Sequence, residues 1–125
     1  MTYRTLPIST GDDRNYSCVD CQIDDLDRGD VDERDWTCKQ CGNPVHIDLA
    51  DDFGNHVLVV RQQAQNLKVG HYVYLEHDWV SGALCVMDSK PAMKTNMWFL
   101  AIQKFRGITV EPDRNFNCVI SGDMV

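Results

Sequence analysis

Two short cysteine motifs decide the interpretation of this 125-residue chain: Cys18-Val19-Asp20-Cys21 and, sixteen residues later, Cys38-Lys39-Gln40-Cys41-Gly42. Each Cys-x-x-Cys motif forms a tight turn that places two sulfurs on one side of an ion. Two such turns, brought together by a hairpin, supply the four tetrahedral ligands that structural Zn²⁺ takes, with Zn–S near ~2.3 Å. The spacing is typical of four-thiolate zinc sites. We therefore predict one structural zinc ion held by Cys18, Cys21, Cys38 and Cys41.

The residue that follows each motif differs between the two. Gly42 closes the second pair, and we expect positive φ there, because the chain must turn sharply after the second thiolate and glycine permits this without steric cost. Gln22 stands at the corresponding place after the first pair. The first turn is therefore predicted to be the less favourable one.

The motifs and their flanks resemble a known family. Trp36–Ile47 resembles the second knuckle of a zinc ribbon with its entering and leaving strands, and Tyr16–Cys21 resembles the first knuckle. The resemblance covers about residues 14–49. The resemblance implies that the segment binds zinc. It does not indicate a particular activity, because zinc ribbons occur in transcription, translation, replication and regulatory proteins and as structural braces. Trp36, two residues before Cys38, is interpreted as lying on the ligand's strand face and shielding the metal.

The same four sulfurs have other interpretations. A rubredoxin-like iron site uses an identical tetrahedral set, and ligand type alone does not exclude an iron-based electron carrier. The four cysteines can also be interpreted as forming disulfides or a redox-active dithiol. A redox-active Cys-x-x-Cys motif typically lies near a βαβ pattern, which this sequence lacks. The sequence contains no signal-peptide pattern and no apolar run long enough to cross a bilayer. We therefore expect a cytoplasmic protein that does not contact membranes. Thiols stay reduced in the cytoplasm.

The net charge of −7 is concentrated near the predicted metal site. Between Val19 and Thr37, eight acids face two bases, which gives −6, whereas residues 57–125 hold seven bases and six acids. The negative charge of this segment would repel the phosphate backbone of a nucleic acid. Most charge runs are only solvated surface, but this one is also a candidate partner-binding loop. Its proposed contact residues are Asp27, Asp30 and Asp32.

The remainder of the chain predicts β-structure. Short β-branched or aromatic runs bounded by turn residues indicate strands: 57–61, 72–76, 83–87, 97–104, 108–111 and 117–120. The segment 66–75 is similar to the entry of small β-barrels. We predict a mainly β protein with two domains: a zinc ribbon with its N-terminal arm and acidic loop over 1–56, packed on a small, partly open β-barrel or β-sandwich-like domain over 57–125. Short helical turns are expected at 12–16 and 61–67.

No nucleophile elbow, P-loop, H-E-x-x-H or glycine-rich dinucleotide motif is present, so we do not expect an enzyme. The favoured hypothesis is a zinc-binding adaptor that contacts another protein. The alternative is nucleic-acid binding by the C-terminal barrel through Lys94 and Arg106, with an acidic nucleic-acid mimic as a variant. Cys85 and Cys118 are interpreted as buried apolar residues. His71 and His77 are interpreted as surface residues on one strand face.

Overall fold

The computed structural model describes residues 8–76, 78–93, 96–104 and 107–120. Nearly half of them belong to one antiparallel sheet of eight strands. A second sheet of two strands, each two residues long, lies between the cysteine motifs. The strands are β1 Asp13–Ser17, β2 Val31–Asp32, β3 Thr37–Cys38, β4 His46–Ala50, β5 His56–Gln63, β6 Tyr72–Leu75, β7 Asp78–Pro91, β8 Trp98–Ile102, β9 Ile108–Val110 and β10 Asn115–Val119.

The strand order of the large sheet is β1-β4-β5-β10-β6-β7-β8-β9. The mainly β prediction is confirmed. The sheet is open, with β1 and β9 at its two edges, and does not close into a barrel. The last strand, β10, does not extend an edge. It inserts between β5 and β6 and pairs antiparallel with both.

The predicted strands after residue 56 all coincide with observed ones, because turn residues and β-branched runs mark them locally. The turn signal Ser81-Gly82 behaves differently. It falls inside β7, where the register against β6 shifts between Tyr74 and Leu75. Gly82 has φ of +104° there, so the glycine supports an irregularity within a strand instead of ending it.

Both predicted helical turns can be compared with the structure. The one at 61–67 is present as a single 3₁₀ turn at Ala64–Asn66. The one at 12–16 is wrong, because this segment forms edge strand β1, which pairs with β4 from Asp13 to Ser17. The backbone hydrogen bonds that β4 offers along this edge outweigh the local turn preference of the segment 9–13. The N-terminal arm before Ile8 lies outside the described residues.

Side chains of the sheet pack into two hydrophobic clusters. The first surrounds the cysteine motifs and includes β4, where Ile47 and Leu49 are buried and alternate with polar neighbours, as a half-buried strand requires. The second lies under β6, β7, β8 and β10 and includes Val73, Val86 and Leu100, all fully buried.

The segment 48–56, predicted as the boundary between two domains, forms a β-hairpin connection. Asp51 Oδ1 accepts hydrogen bonds from the backbone N–H groups of Phe53 and Asn55, both at 2.9 Å. β4 and β5 on either side pair from Ile47–Val59 to Ala50–His56. The large sheet therefore runs across position 56, and the division into two domains stays a prediction.

Candidate metal centre

The four cysteines of the two motifs converge on one point. Their sulfurs all lie within 4.8 Å of one another. Across the two motifs, the Sγ atoms of Cys18 and Cys41 are 3.5 Å apart, and those of Cys21 and Cys38 are 3.9 Å apart. A tetrahedron with metal–sulfur distances of ~2.3 Å has sulfur–sulfur edges of about 3.8 Å. The sulfurs thus already stand near the spacing that a tetrahedral ion requires.

The first motif forms a knuckle, a tight turn closed by backbone hydrogen bonds. The N–H of Cys18 donates to the Ile23 carbonyl at 2.9 Å, and the N–H of Ile23 donates back to the Cys18 carbonyl at 3.0 Å. Between them Gln22 adopts φ of +57°. This left-handed conformation is unfavourable for a residue with a Cβ, so the prediction of a less favourable first turn has a structural explanation.

The second motif forms a matching knuckle. The N–H of Cys38 donates to the carbonyl of Asn43 at 2.8 Å, and the N–H of Gly42 donates to the Cys38 carbonyl at 2.7 Å. Gly42 has φ of +77°, as the sequence predicts. A Cβ added at Gly42 would meet nothing within 4 Å. Glycine is favoured here by its backbone conformation and not by crowding.

Backbone donors aimed at the sulfurs set their electrostatics. Hydrogen bonds from the N–H groups of Cys41 and Gln40 lower the pKa of Cys38 to about 7. Burial is the main cause that raises the pKa of Cys18, opposed by a hydrogen bond from the Cys21 N–H. The hydrogen bond with Cys18, followed by desolvation, raises the pKa of Cys21 to about 12. The pKa is thus lowered at Cys38 and raised at Cys18 and Cys21, and a cation bound by all four sulfurs would displace their protons.

The four cysteine residues of the cluster differ in their exposure to solvent. Cys18 and Cys38 are each about 1% exposed, Cys21 is half-buried and Cys41 is exposed. All six cysteines of the chain lie among the described residues and carry free thiols. The cysteine cluster therefore has a buried side and an open side, with Cys41 on the open side.

Trp36 is not on a strand, in contrast to the interpretation from its spacing. It has φ of +59° and precedes β3, so the argument that it shares a strand face with Cys38 does not hold. The indole is 3% exposed, stacks on Tyr16 at 6.0 Å between ring centroids and lies 4.4 Å from the Arg61 guanidinium. Its role as a shield for the metal stays a prediction.

A buried ion pair beside the cysteine cluster was not foreseen from the sequence. The Arg61 guanidinium donates to both carboxylate oxygens of Asp13, at 2.8 and 2.7 Å, and to Asn117 Oδ1 at 2.7 Å. The side chains of Arg61 and Asp13 are 0% and 2% exposed. Tyr16 donates its hydroxyl to Asp13 at 2.6 Å. The pair joins β1, next to the first knuckle, to β5 and β10 in the middle of the sheet.

The acidic segment between the knuckles is held in place by hydrogen bonds. A 3₁₀ turn covers Arg28–Asp30, and Arg28 forms a bidentate ion pair with Glu33, with both distances 3.0 Å. Lys39 of the second knuckle donates its N–H to the Asp30 carbonyl and its Nζ to the Gly29 carbonyl, both at 2.9 Å. The segment is therefore attached to the metal centre instead of extending into solvent.

Of the three predicted contact residues, Asp27 and Asp30 are exposed and Asp32 is partly buried. Asp32 accepts a hydrogen bond from the Arg34 N–H at 3.1 Å. The two basic residues named for the nucleic-acid alternative, Lys94 and Arg106, lie outside the described residues. Arg114 pairs with Glu76 at 3.4 Å and Lys90 with Asp88 at 3.2 Å, so both of these cations have acidic partners.

The remaining candidates lie away from the metal centre. Cys118 is 3% exposed, and desolvation raises its pKa to about 12, as its interpretation as a buried apolar residue requires. Cys85 is half-buried. His71 accepts a hydrogen bond at Nδ1 from the Lys68 N–H at 3.2 Å. His77 lies outside the described residues.

Comparison with known proteins gives no relative. No family model, no curated protein and no solved structure matches the chain. Within the described part of the chain, no helix is long and apolar enough to cross a membrane. The cysteine cluster is therefore the feature from which the function must be argued.

Proposed function

We propose that this protein binds one structural zinc ion through Cys18, Cys21, Cys38 and Cys41 and acts, without catalysis, as an adaptor that contacts another protein. The observation that carries the proposal is the convergence of four sulfurs within 4.8 Å from two knuckles of matching backbone geometry. The fold implied for residues 14–49 is a zinc ribbon. The acidic segment between the knuckles is the proposed contact surface.

The donor set supports zinc. Four thiolates in a tetrahedron with no open position are typical of a structural zinc site, whereas catalytic zinc sites keep one position for water. The knuckle N–H groups of Cys41 and Gln40 lower the pKa of Cys38 and so favour the thiolate form that a metal requires. Since iron can occupy the same four sulfurs, the identity of the metal is the first point to test.

Native mass spectrometry of untagged protein, purified gently from its own cells, tests the metal. The expected result is a mass excess of one zinc and a colourless solution, because d¹⁰ zinc has no visible absorption. If the protein instead contains iron and absorbs visible light through thiolate-to-iron charge transfer, the zinc proposal is wrong and the electron-carrier interpretation is favoured. A metal-free chain would remove the zinc site altogether.

The adaptor role rests on charge and order together. The stretch from Val19 to Thr37 carries a net −6, and the hydrogen bonds from Lys39 hold its central part against the second knuckle. An ordered surface loses less conformational entropy on binding than a flexible loop does. Complementary charge would steer a basic partner surface toward it and away from phosphate-rich ligands.

Replacing Asp27, Asp30 and Asp32 with asparagine tests this surface. Asparagine keeps the side-chain oxygen that accepts the Arg34 N–H, so the loop retains its hydrogen bond while three charges are removed. The matched control replaces Asp52, Asp78 and Asp113 with asparagine; all three are exposed and lie outside the acidic segment, and the net charge changes equally.

The measurement is crosslinking in cells of the protein's own host followed by identification of the attached molecules. We expect a protein partner that the control variant retains and the triple variant loses. Equal capture by both variants would exclude the acidic segment as the contact surface. Oligonucleotides as the main product would favour the nucleic-acid alternative.

A further inference from the structure

One of the four cysteine residues of the cluster is more exposed than the others. Cys41 is exposed, whereas Cys18 and Cys38 are about 1% exposed. Thiolates, the form that binds metals, are also the form that reacts with oxidants, and reactivity depends on access. A dissolved oxidant would therefore meet Cys41 first.

The sulfur of Cys41 lies close to a sulfur of the other knuckle. Cys18 Sγ lies 3.5 Å from Cys41 Sγ, and a disulfide requires about 2.0 Å. A closure of about 1.5 Å would join these two sulfurs. Cys18 is also inaccessible from outside, so it is placed to react with an oxidised Cys41 and not with the oxidant itself.

We propose that Cys41 is an oxidation site at which hydrogen peroxide converts the four-thiolate centre into a Cys18–Cys41 disulfide. This inference rests on the proposed zinc site, because metal coordination keeps both sulfurs deprotonated. It adds a regulatory property: the disulfide withdraws two of the four donors, so the centre releases its ion.

The reaction has two balanced steps. In the first, the Cys41 sulfur attacks a peroxide oxygen, the O–O bond breaks, an S–O bond forms, and the departing hydroxide takes a proton to become water. In the second, the Cys18 thiolate attacks the Cys41 sulfur, the S–S bond forms, the S–O bond breaks, and a second hydroxide is protonated. Two electrons pass from the two sulfurs to the peroxide, and two protons are consumed.

The experiment uses the full zinc-loaded chain with Cys85→Ser and Cys118→Ala, which removes the two thiols outside the centre. Metal content is measured first. The protein then receives pulses of hydrogen peroxide, with dimedone present in a parallel reaction to trap sulfenic acid. Peptide mapping resolves every site, because cleavage after Lys39 separates Cys38 from Cys41 and cleavage before Asp20 separates Cys18 from Cys21.

We expect the dimedone adduct at Cys41 before any other cysteine, followed by a Cys18–Cys41 disulfide and the release of one zinc per disulfide. In a Cys18→Ser variant that folds, the Cys41 adduct should accumulate. If that variant does not fold, the proposal is tested by the order in which the Cys41 adduct, the Cys18–Cys41 disulfide and free zinc appear in the protein that retains all four cysteines of the cluster.

Three results would overturn the inference: a first disulfide within one knuckle, a first disulfide between Cys21 and Cys38, or zinc release before Cys41 is oxidised. The absence of zinc at the start has a different meaning. It would overturn the proposed zinc site itself, and the metal measurement separates that failure from a failure of the oxidation step.

Discussion

Two regions of the molecule differ in how they are built: the knuckle end, which contains the two cysteine motifs and the segment between them, and the sheet end, which contains β6, β7, β8 and β10. Between the cysteine motifs the strands are two residues long, and the chain there is shaped by tight turns and four converging sulfurs. Under β6, β7, β8 and β10, the chain forms longer strands over a continuous apolar cluster. Burial of apolar surface stabilises both ends, because the first hydrophobic cluster surrounds the cysteine motifs. The knuckle end has much shorter strands, so we expect it to depend more strongly on the proposed metal.

Removal of the metal should produce the largest difference in stability between the knuckle end and the sheet end. Zinc binding supplies on the order of 10 kcal/mol of folding free energy in small zinc modules. We expect a strong chelator, or Cys38→Ser, to unfold about residues 14–49 while the sheet strands β6–β8 stay folded. Hydrogen exchange resolved along the chain measures this.

The control is Cys85→Ser, which removes a thiol outside the cluster and should leave the exchange pattern intact. Loss of protection in β6–β8 together with the knuckles would mean that the two ends form one cooperative unit, and the contrast between them would disappear.

The contact between the two ends gives the next largest effect. Arg61→Met leaves the Asp13 carboxylate buried without its cation, and breaking a buried pair in this way costs about 3–5 kcal/mol. Arg61→Met combined with Asp13→Leu removes both charges and should cost less than the single change. Chemical denaturation of the zinc-loaded protein measures each value.

Arg61→Lys separates charge from geometry in the same experiment. Lysine keeps the positive charge but cannot reproduce the paired contacts to Asp13 or the planar stacking on Trp36, so we expect partial destabilisation. A cost below about 1 kcal/mol for Arg61→Met would show that the ion pair does not join the two ends.

The sequence predicted what is encoded locally and missed what is encoded at a distance. The four-cysteine cluster follows from motif spacing, and the strands after residue 56 follow from their turn residues. Arg61 and Asp13 are 48 residues apart, and Arg61 and Asn117 are 56 residues apart. An arginine at the end of Leu58-Val59-Val60 is the only local signal of this contact, since it shares a strand face with the buried Val59.

The failure to foresee β1 has the same cause. Its residues carry turn signals and only one buried apolar side chain, Tyr16, so nothing local indicates a strand. The strand exists because β4 offers an open edge and because Asp13 has a buried partner in Arg61. The open sheet could not be distinguished from a barrel for a related reason: local patterns mark strands but not whether the first and last strands meet.

The two knuckles provide the smallest and most specific test, because they perform the same turn with different residues. Gln22 and Gly42 both have positive φ, at +57° and +77°. Gly42→Ala should destabilise the zinc-loaded protein by about 1 kcal/mol, purely through backbone conformation, since the new Cβ has open space around it. Gln22→Gly should have the opposite sign and a smaller size, about 0.5 kcal/mol, because relief of the left-handed strain is partly offset by the greater freedom of glycine in the unfolded chain. Denaturation midpoints at fixed free zinc measure both changes. Two effects of the same sign would mean that the knuckles are not equivalent turns, and that the Gln22 side chain stabilises the first knuckle in a way that its backbone conformation does not predict.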